Sequence, residues 1–336
     1  MDQKRSYAVD CLKLAFIYLI ITFHTRLLDG IVNHGYIGVE FFFIASGFYL
    51  QRQVSQSSLG TLGYLKRRVQ KLYPRYVFSL LLMTLIVLAI GAFQGSVWDY
   101  LAEIFLLQGL FPVSGGGVNF PCWYLSVLIW DSAILYFFLR HTGRKTSTVV
   151  LLLLPVLYYG YSFLCEDGRA EIWNSFHFLY LPVFRGFAGL SLGILTYRLH
   201  LLLDARKMYA GIRLLRAVEV LCSAGIVFLI ICPLPLDCLT SLVFGCLLLA
   251  AYHPNSLFER IGCLSFMKKW ASLEYALFLD HALIVVLYKQ YVFPRAELHG
   301  VILLIAVCVT STLFSMIASK AFCTLKSRWS PVSIQQ

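Results

Sequence analysis

Two basic side chains, Lys13 and His24, stand eleven residues apart in the first apolar stretch of the chain. Eleven residues make about three helical turns, so both side chains would share one helix face, about 16 Å apart along its axis. Histidine is the commonest general base near neutral pH, and lysine binds phosphate as a point charge. The pair therefore suits a ligand that is anionic at one end and reactive at the other. The structural alternative places Lys13 in the lipid headgroups and His24 at the opposite membrane interface.

An acidic side chain, Glu40, lies in the next apolar stretch, "HGYIGVEFFFIASGFYL" at 34–50. A buried unpaired carboxylate costs several kcal/mol, so Glu40 needs a partner. The loop at 29–35 would bring Glu40 to the depth of His24 on the neighbouring helix. A carboxylate bonded to one ring nitrogen fixes the imidazole tautomer and raises its basicity. We predict a His24–Glu40 dyad; the alternative is a buried ion pair that only fixes the hairpin.

A basic segment, "YLKRRVQKLYPRY", precedes the third apolar stretch. Arg68, Lys71 and Arg75 follow the i, i+3, i+7 spacing of one helix face, and Pro74 is expected near the first turn of the third helix. Such a face can bind phosphate groups. A basic cluster on the cytoplasmic side is the alternative.

Further ionisable residues lie inside later apolar stretches. Glu274 and His281 are seven residues apart and share a helix face, while Asp280 is turned by about 100°. We expect His281 to line a cavity or to complete a buried polar network. Asp131 and Arg185 lie at matching depths and are expected to neutralise each other.

The composition indicates an all-α integral membrane protein. Of the 336 residues, 59% are hydrophobic and 13% charged, far from the values of soluble domains. A helix that crosses the bilayer needs about 20 apolar residues. We predict one polytopic domain over 1–336 with about ten transmembrane helices, at 11–28, 36–51, 73–92, 121–140, 147–164, 176–198, 214–232, 236–252, 270–290 and 300–322.

The distribution of basic residues predicts the orientation in the membrane. Of the 28 Lys and Arg residues, only four fall in loops on the side opposite the N-terminus, namely Arg26, Arg169, Lys289 and Arg295. The positive-inside rule therefore places both termini in the cytoplasm. It also explains the net charge of +11 without a nucleic-acid partner, and basic loops suit anionic lipid headgroups.

Two further sequence features limit the class of protein. The first apolar stretch has no small-residue cleavage site, so we interpret it as an uncleaved helix. The ten cysteines are scattered without C-x-x-C spacing, which favours apolar packing over a metal centre or a disulfide framework. The segment 97–111 is apolar but too short to span, which predicts a re-entrant or an interfacial helix over an external cavity.

Four stretches, in this order along the chain, resemble the membrane-bound acyltransferase-3 family. They are "KLAFIYLIITFH" with Lys13 and His24, "GYIGVEFFFIASGFYL" with Glu40 and Ser46, "KRRVQKLYPRY" with Arg68, Lys71 and Arg75, and "SLEYALFLDH" with Glu274 and His281. "CWYLSVLIW" and "FRGFAGLSLGI", which contains Arg185, are similar to the middle helices of that family. The resemblance runs from about residue 7 to 322. Lys71, Glu274 and Phe278 depart from the usual family residues.

Members of this family O-acylate cell-surface sugars from an acyl-coenzyme A donor. The resemblance implies that His24 is the general base for an acceptor hydroxyl and Glu40 its orienting partner. It implies that the donor phosphates contact Lys13, Arg68, Lys71 and Arg75, and that the cavity is lined by Ser46, Arg185, Glu274 and His281. Direct transfer and an acyl-histidine intermediate both stay open.

The expected function is therefore acetyl transfer from acetyl-CoA, without a metal, to a hydroxyl of a glycan or glycolipid. The expected location is a bacterial inner or plasma membrane, with membrane lipid and glycan-assembly machinery as partners. Two alternatives remain at the sequence level. The chain could be a small-solute permease, since ten spans with buried charges also describe a carrier, or a non-catalytic partner in glycan assembly.

Overall fold

The protein was analysed as a computed structural model that describes residues 6–92, 96–112, 117–170, 175–176, 179–206, 211–232, 234, 236–296 and 299–329. Two short strands, β1 (Ser175–Phe176) and β2 (Leu179–Tyr180), form one antiparallel pair. The other elements of the described residues are helical. They are α1 (Tyr7–Thr25), α2 (Gly38–Gln56), α3 (Thr61–Ala89), α4 (Val97–Ile104), α5 (Trp123–His141), α6 (Arg144–Cys165), α7 (Leu181–Ala205), α8 (Ile212–Ile231), α9 (Asp237–Ala251), α10 (Leu257–Gly262), α11 (Ser265–Ala271), α12 (Glu274–Leu287) and α13 (Gly300–Trp329).

The predicted all-α membrane fold is confirmed. Eight segments of the described chain are long and apolar enough to cross a bilayer, those of α1, α3, α5, α6, α7, α8, α12 and α13. The other two predicted spans correspond to α2 and α9. Helix α2 carries polar residues in its last turns, including Arg52, which lower its mean hydropathy. Helix α9 has 15 residues and is about 22 Å long, shorter than a bilayer core.

The third helix begins much earlier than the sequence suggested. Helix α3 starts at Thr61, so the basic segment at 66–75 belongs to the helix and not to a connecting loop. The expectation that Pro74 lies in the first turn is wrong, because Pro74 is inside the helix. Its ring is exposed, on the side of α3 away from the buried Arg75 and Tyr76.

Helices α2 and α7 form the central contact of the bundle. Glycines on both helices allow their backbones to touch: a Cβ atom at Gly193 would clash with Ile44 O, and one at Gly47 with Leu190 O. Small residues permit such close helix packing where neither partner gains hydrophobic energy from leaving lipid. The packing fixes the relative position of Glu40 on α2 and the start of α7.

Helix α4 and the residues after it enter the bundle, as the re-entrant alternative predicts. Tyr73 and Tyr76, near the middle of α3, donate hydrogen bonds of 2.7 Å to the carbonyl oxygens of Ile104 and Glu103. Trp130 Nε1 on α5 donates to Leu106 O at 2.9 Å. These contacts hold the segment at the depth of the middle of α3, where it can close one side of a cavity.

The α2–α7 contact predicts a strong effect of a side chain at Gly193. Gly193→Val should lower the free energy of unfolding by about 2 kcal/mol or more, because the helix backbones must separate to admit the side chain. Thermal unfolding of the purified protein in detergent measures the change. Gly225→Val on α8 is the matched control, since no atom lies within 4 Å of a Cβ there. Equal melting temperatures for the two variants would contradict the close packing.

Candidate active site

A cavity of about 400 Å³ lies between the last turn of α1 and the first turns of α2, α5 and α7. Aromatic side chains dominate its wall, and the polar side chains are few. The lining residues are Ile20, Phe23, His24, Tyr36, Val39, Gln108, Pro112, Phe120, Pro121, Trp123, Tyr180, Arg185 and Phe278. This combination of apolar faces with a few convergent polar groups is typical of small-molecule sites.

His24 reaches this cavity from the last turn of α1. Its ring is half-buried, packs edge-on against Phe120 with centroids 4.9 Å apart, and lies 5.6 Å from the His281 ring at an angle of 22°. Helix α1 ends directly after it, where Arg26 adopts a left-handed conformation with φ of 61°. The imidazole therefore stands at a helix end, with one edge facing the cavity and a second imidazole behind it.

The predicted contact between His24 and Glu40 is wrong. Glu40 is fully buried; Oε1 accepts a hydrogen bond from Arg185 Nε, and Oε2 accepts one of 2.8 Å from the Tyr159 hydroxyl. Arg185 Nη2 also donates to Tyr36 O at 3.3 Å. Both carboxylate oxygens are thus engaged by α6 and α7, which explains how a buried charge is tolerated.

Arg185 lies on the cavity wall, as predicted, but the expected pairing with Asp131 is wrong. Its guanidinium carbon lies 5.4 Å from the centroid of the Trp123 ring, a cation–π distance. Asp131 is fully buried on α5 against Gly186, and within the described residues neither of its carboxylate oxygens has a hydrogen-bond partner.

Phe278 and Tyr124 form an aromatic layer at one side of the cavity. Phe278 lines the cavity, and the Tyr124 ring packs edge-on against it with centroids 5.6 Å apart. Ser46 was predicted to line the cavity together with Glu274 and His281, yet none of these three residues belongs to its wall.

Lys13 and Glu274 lie beyond this layer. The Lys13 ammonium is 3.6 Å from Glu274 Oε1, and both side chains are about one-fifth exposed. Lys13 and His24 thus lie towards the two ends of α1, about 16 Å apart along its axis. We call these ends the Lys13 end and the His24 end.

The three basic residues predicted to bind phosphate have different surroundings. Lys71 is exposed, and Arg68 is half-buried with Nη1 donating to the Tyr64 hydroxyl at 2.8 Å. Arg75 is buried and pairs with Asp280 Oδ2 at 2.5 Å, while Ser79 bonds to the other carboxylate oxygen. Arg75 is therefore held inside the bundle by Asp280, while its Nε and Nη1 atoms have no hydrogen-bond partner among the described residues. A role of the three side chains in phosphate binding stays a prediction.

A family model described as an acyltransferase domain, the acyltransferase-3 model, matches residues 6–320. The chain belongs to the acyltransferase-3 family. Curated proteins and solved structures gave no match. Membership shows that this is a membrane acyltransferase. His24 is a half-buried imidazole on the wall of the cavity.

Sequence reasoning missed a buried carboxylate that shapes the acyltransferase cavity. Glu103 in α4 is fully buried and accepts backbone hydrogen bonds from Val118 at 3.0 Å and Asn119 at 2.9 Å. Asn119 donates in turn to Leu279 O on α12 at 3.0 Å. These bonds hold the chain that carries Phe120 against His24. The available signal was a carboxylate in the middle of the apolar segment "WDYLAEIFLLQGLF", four residues after Asp99.

A second missed network supports the opposite wall. The Tyr36 hydroxyl donates to Asp237 Oδ2 at 2.8 Å, and His34 Nδ1 lies 3.2 Å from Asp237 Oδ1. Ala170 N donates to the same carboxylate at 2.6 Å. The network fixes Tyr36, whose carbonyl oxygen orients Arg185. Residues 34, 170 and 237 are too far apart in sequence for spacing to connect them.

The Glu40–Arg185 pair of this acyltransferase predicts a double-mutant cycle. Arg185→Leu should lower the free energy of unfolding by about 3–5 kcal/mol, because it leaves Glu40 buried without its cation. Glu40→Leu combined with Arg185→Leu should cost much less than the sum of the single changes, since the double variant buries no charge. Melting temperatures in detergent measure all three variants. Additive effects would show that the two side chains do not stabilise each other.

Proposed function

We propose that this acyltransferase moves an acetyl group from acetyl-CoA to a hydroxyl of a cell-surface or exported glycan, with His24 as the general base. A ring nitrogen of His24 takes the hydroxyl proton as the oxygen attacks the thioester carbonyl. The coenzyme thiolate leaves and is reprotonated. The single observation that supports this proposal is the placement of His24 on the wall of a largely aromatic cavity.

The cavity suits a sugar hydroxyl as acceptor. Its volume of about 400 Å³ falls within the range of small-molecule sites. The faces of Trp123 and Tyr36 offer flat apolar surface, while Arg185 and Gln108 supply polar groups to orient a ligand. Since Arg185 is already neutralised by Glu40, the site favours an uncharged hydroxyl-bearing ring over an anion.

The Lys13 end suits the donor phosphates. Lys13 supplies a cationic group there, and we assign Arg68 and Lys71 of α3 to the same phosphates. Arg68 Nε has no partner in the described part of the chain. The pantetheine arm would then pass Phe278 and Tyr124 to bring the thioester to His24. This path requires the aromatic pair to move aside when the donor binds.

The proposed orientation places the Lys13 end in the cytoplasm, where acetyl-CoA is made. The positive-inside distribution of Lys and Arg supports it. Acceptor hydroxyls then enter from the other side of a cell membrane, in keeping with a surface or exported glycan and with contacts to membrane lipid and glycan-assembly machinery.

His24→Ala should reduce acetyl transfer by at least about 10²-fold, because the acceptor hydroxyl loses its base. Radiolabelled acetyl-CoA and purified protein in detergent give the rate. His141→Ala is the matched control, since His141 is exposed and bonds only to Phe137 O in its own helix. A fully active His24→Ala protein would contradict the assignment of the base.

Three measurements distinguish the acetyltransferase from a permease and from a glycan-assembly partner. Loss of the gene should remove acetyl esters from a surface glycan, seen by mass spectrometry as the loss of one acetyl mass per site. Solute uptake by liposomes without coenzyme A would favour a permease. Loss of the whole polymer, with no turnover of acetyl-CoA by the protein, would favour an assembly partner.

Arg68→Ala should raise the KM for acetyl-CoA by about tenfold and leave kcat nearly unchanged, since one charged hydrogen bond to a phosphate is lost. Initial rates against donor concentration measure both constants. Arg67→Ala is the control, because Arg67 is exposed on another side of α3. An equal KM for the two variants would contradict a donor site at Arg68.

Sealed vesicles should turn over donor supplied on the cytoplasmic face only.

A further inference from the structure

His281 has a fixed tautomer. Its Nδ1 atom lies 2.8 Å from Phe278 O and 3.1 Å from Leu277 O, both carbonyl oxygens of the preceding turn of α12. A carbonyl oxygen only accepts, so Nδ1 carries the proton in these bonds. The other ring nitrogen, Nε2, is therefore a bare acceptor.

This acceptor has no donor in the resting structure. The His281 side chain is fully buried, and no described residue donates a hydrogen bond to Nε2. An unsatisfied buried acceptor costs about 1–3 kcal/mol. Such a group calls for an explanation, and catalytic roles are among the common ones.

The nearest imidazole is that of His24. The two ring centroids are 5.6 Å apart and the ring planes differ by 22°. Aromatic rings with centroids about 4.5–7 Å apart prefer an offset over a face-to-face arrangement. An edge-to-edge N–H···N hydrogen bond would place the centroids about 5 Å apart. Since His24 is half-buried and borders the cavity, a small rotation of its side chain closes the gap.

We propose that His281 is the positioning residue of His24, by accepting a hydrogen bond at Nε2 from the His24 N–H that faces away from the acceptor. This inference rests on the proposed function. It assigns to His281 the orienting role that the sequence predicted for Glu40, whose oxygens are engaged by Arg185 and Tyr159. The bond keeps the cavity-facing nitrogen of His24 bare. That nitrogen takes the proton of the acceptor hydroxyl while the acyl group moves from sulfur to oxygen. His24 then gives the proton to the coenzyme thiolate, and His281 neither gains nor loses a proton.

Two amide substitutions separate this role from simple packing. In His281→Gln the side-chain oxygen reaches the position of Nε2 and keeps an acceptor for His24. In His281→Asn the amide sits at the position of Nδ1, which keeps the bond to Phe278 O but removes that acceptor. The expected result is a kcat about 10²-fold lower in His281→Asn, with an unchanged KM for acetyl-CoA, and partial recovery in His281→Gln. Equal activity of the two variants would overturn the proposal.

A spectroscopic measurement tests the contact without activity. With ¹⁵N-labelled histidine, the ring nitrogen shifts of His24 should show one tautomer in the wild-type and His281→Gln proteins and a mixture in His281→Asn. An unchanged tautomer ratio in His281→Asn would overturn the contact. The proposed function fails if the wild-type protein transfers no acetyl group, or if His24→Ala transfers it normally. Only the present inference fails if His24→Ala is inactive while His281→Asn is fully active.

Discussion

A buried ion pair between Glu40 and Arg185 determines the arrangement of the site. It joins the first turn of α2 to the start of α7, where glycines allow the two backbones to touch. Tyr159 bonds to the second carboxylate oxygen, so Glu40 is held by Arg185 and Tyr159 and not by the imidazole of His24. The ion pair thus places the Arg185 guanidinium on the cavity wall with a fixed orientation and a neutralised charge. The hydrogen-bond partner of His24 must therefore be another residue.

Helix α12 connects the parts of the site. Glu274 meets Lys13 at one end, Phe278 closes the cavity, and His281 stands behind His24, all on one helix face. Asp280 is turned to another face and holds Arg75 of α3. A movement of α12 would therefore change the Lys13 end, the aromatic layer and the surroundings of His24 together, which is what a donor threading between the helices requires.

Sequence reasoning succeeded where one helix carries the information. Hydropathy located ten helices, and the seven-residue spacing placed Glu274 and His281 on one face of α12, where they lie near Lys13 and His24 of α1. It failed where contacts join distant segments. Depth arguments matched Glu40 with His24 on the preceding helix, because they cannot show that Arg185, 145 residues later, packs against the same turn.

The remaining errors have similar causes. The early start of α3 was missed because the segment before it is basic and polar, and helix formation there depends on packing rather than hydropathy. Arg75 was grouped with Arg68 and Lys71 by spacing alone, yet burial of the helix face selects Asp280 as its partner. Tyr159 gave no sequence signal, since tyrosine is common in this chain, with 20 residues.

The central claim is that acyl transfer takes place at His24, in the cavity between α1, α2, α5 and α7. The most direct measurement is an experimental structure with a non-hydrolysable acetyl-CoA analogue. The account predicts that the analogue's carbonyl carbon lies within about 5 Å of a His24 ring nitrogen, allowing room for the attacking hydroxyl, with the phosphates at the Lys13 end. An analogue bound with its acyl group outside this cavity, or with its phosphates at the His24 end, would contradict the account.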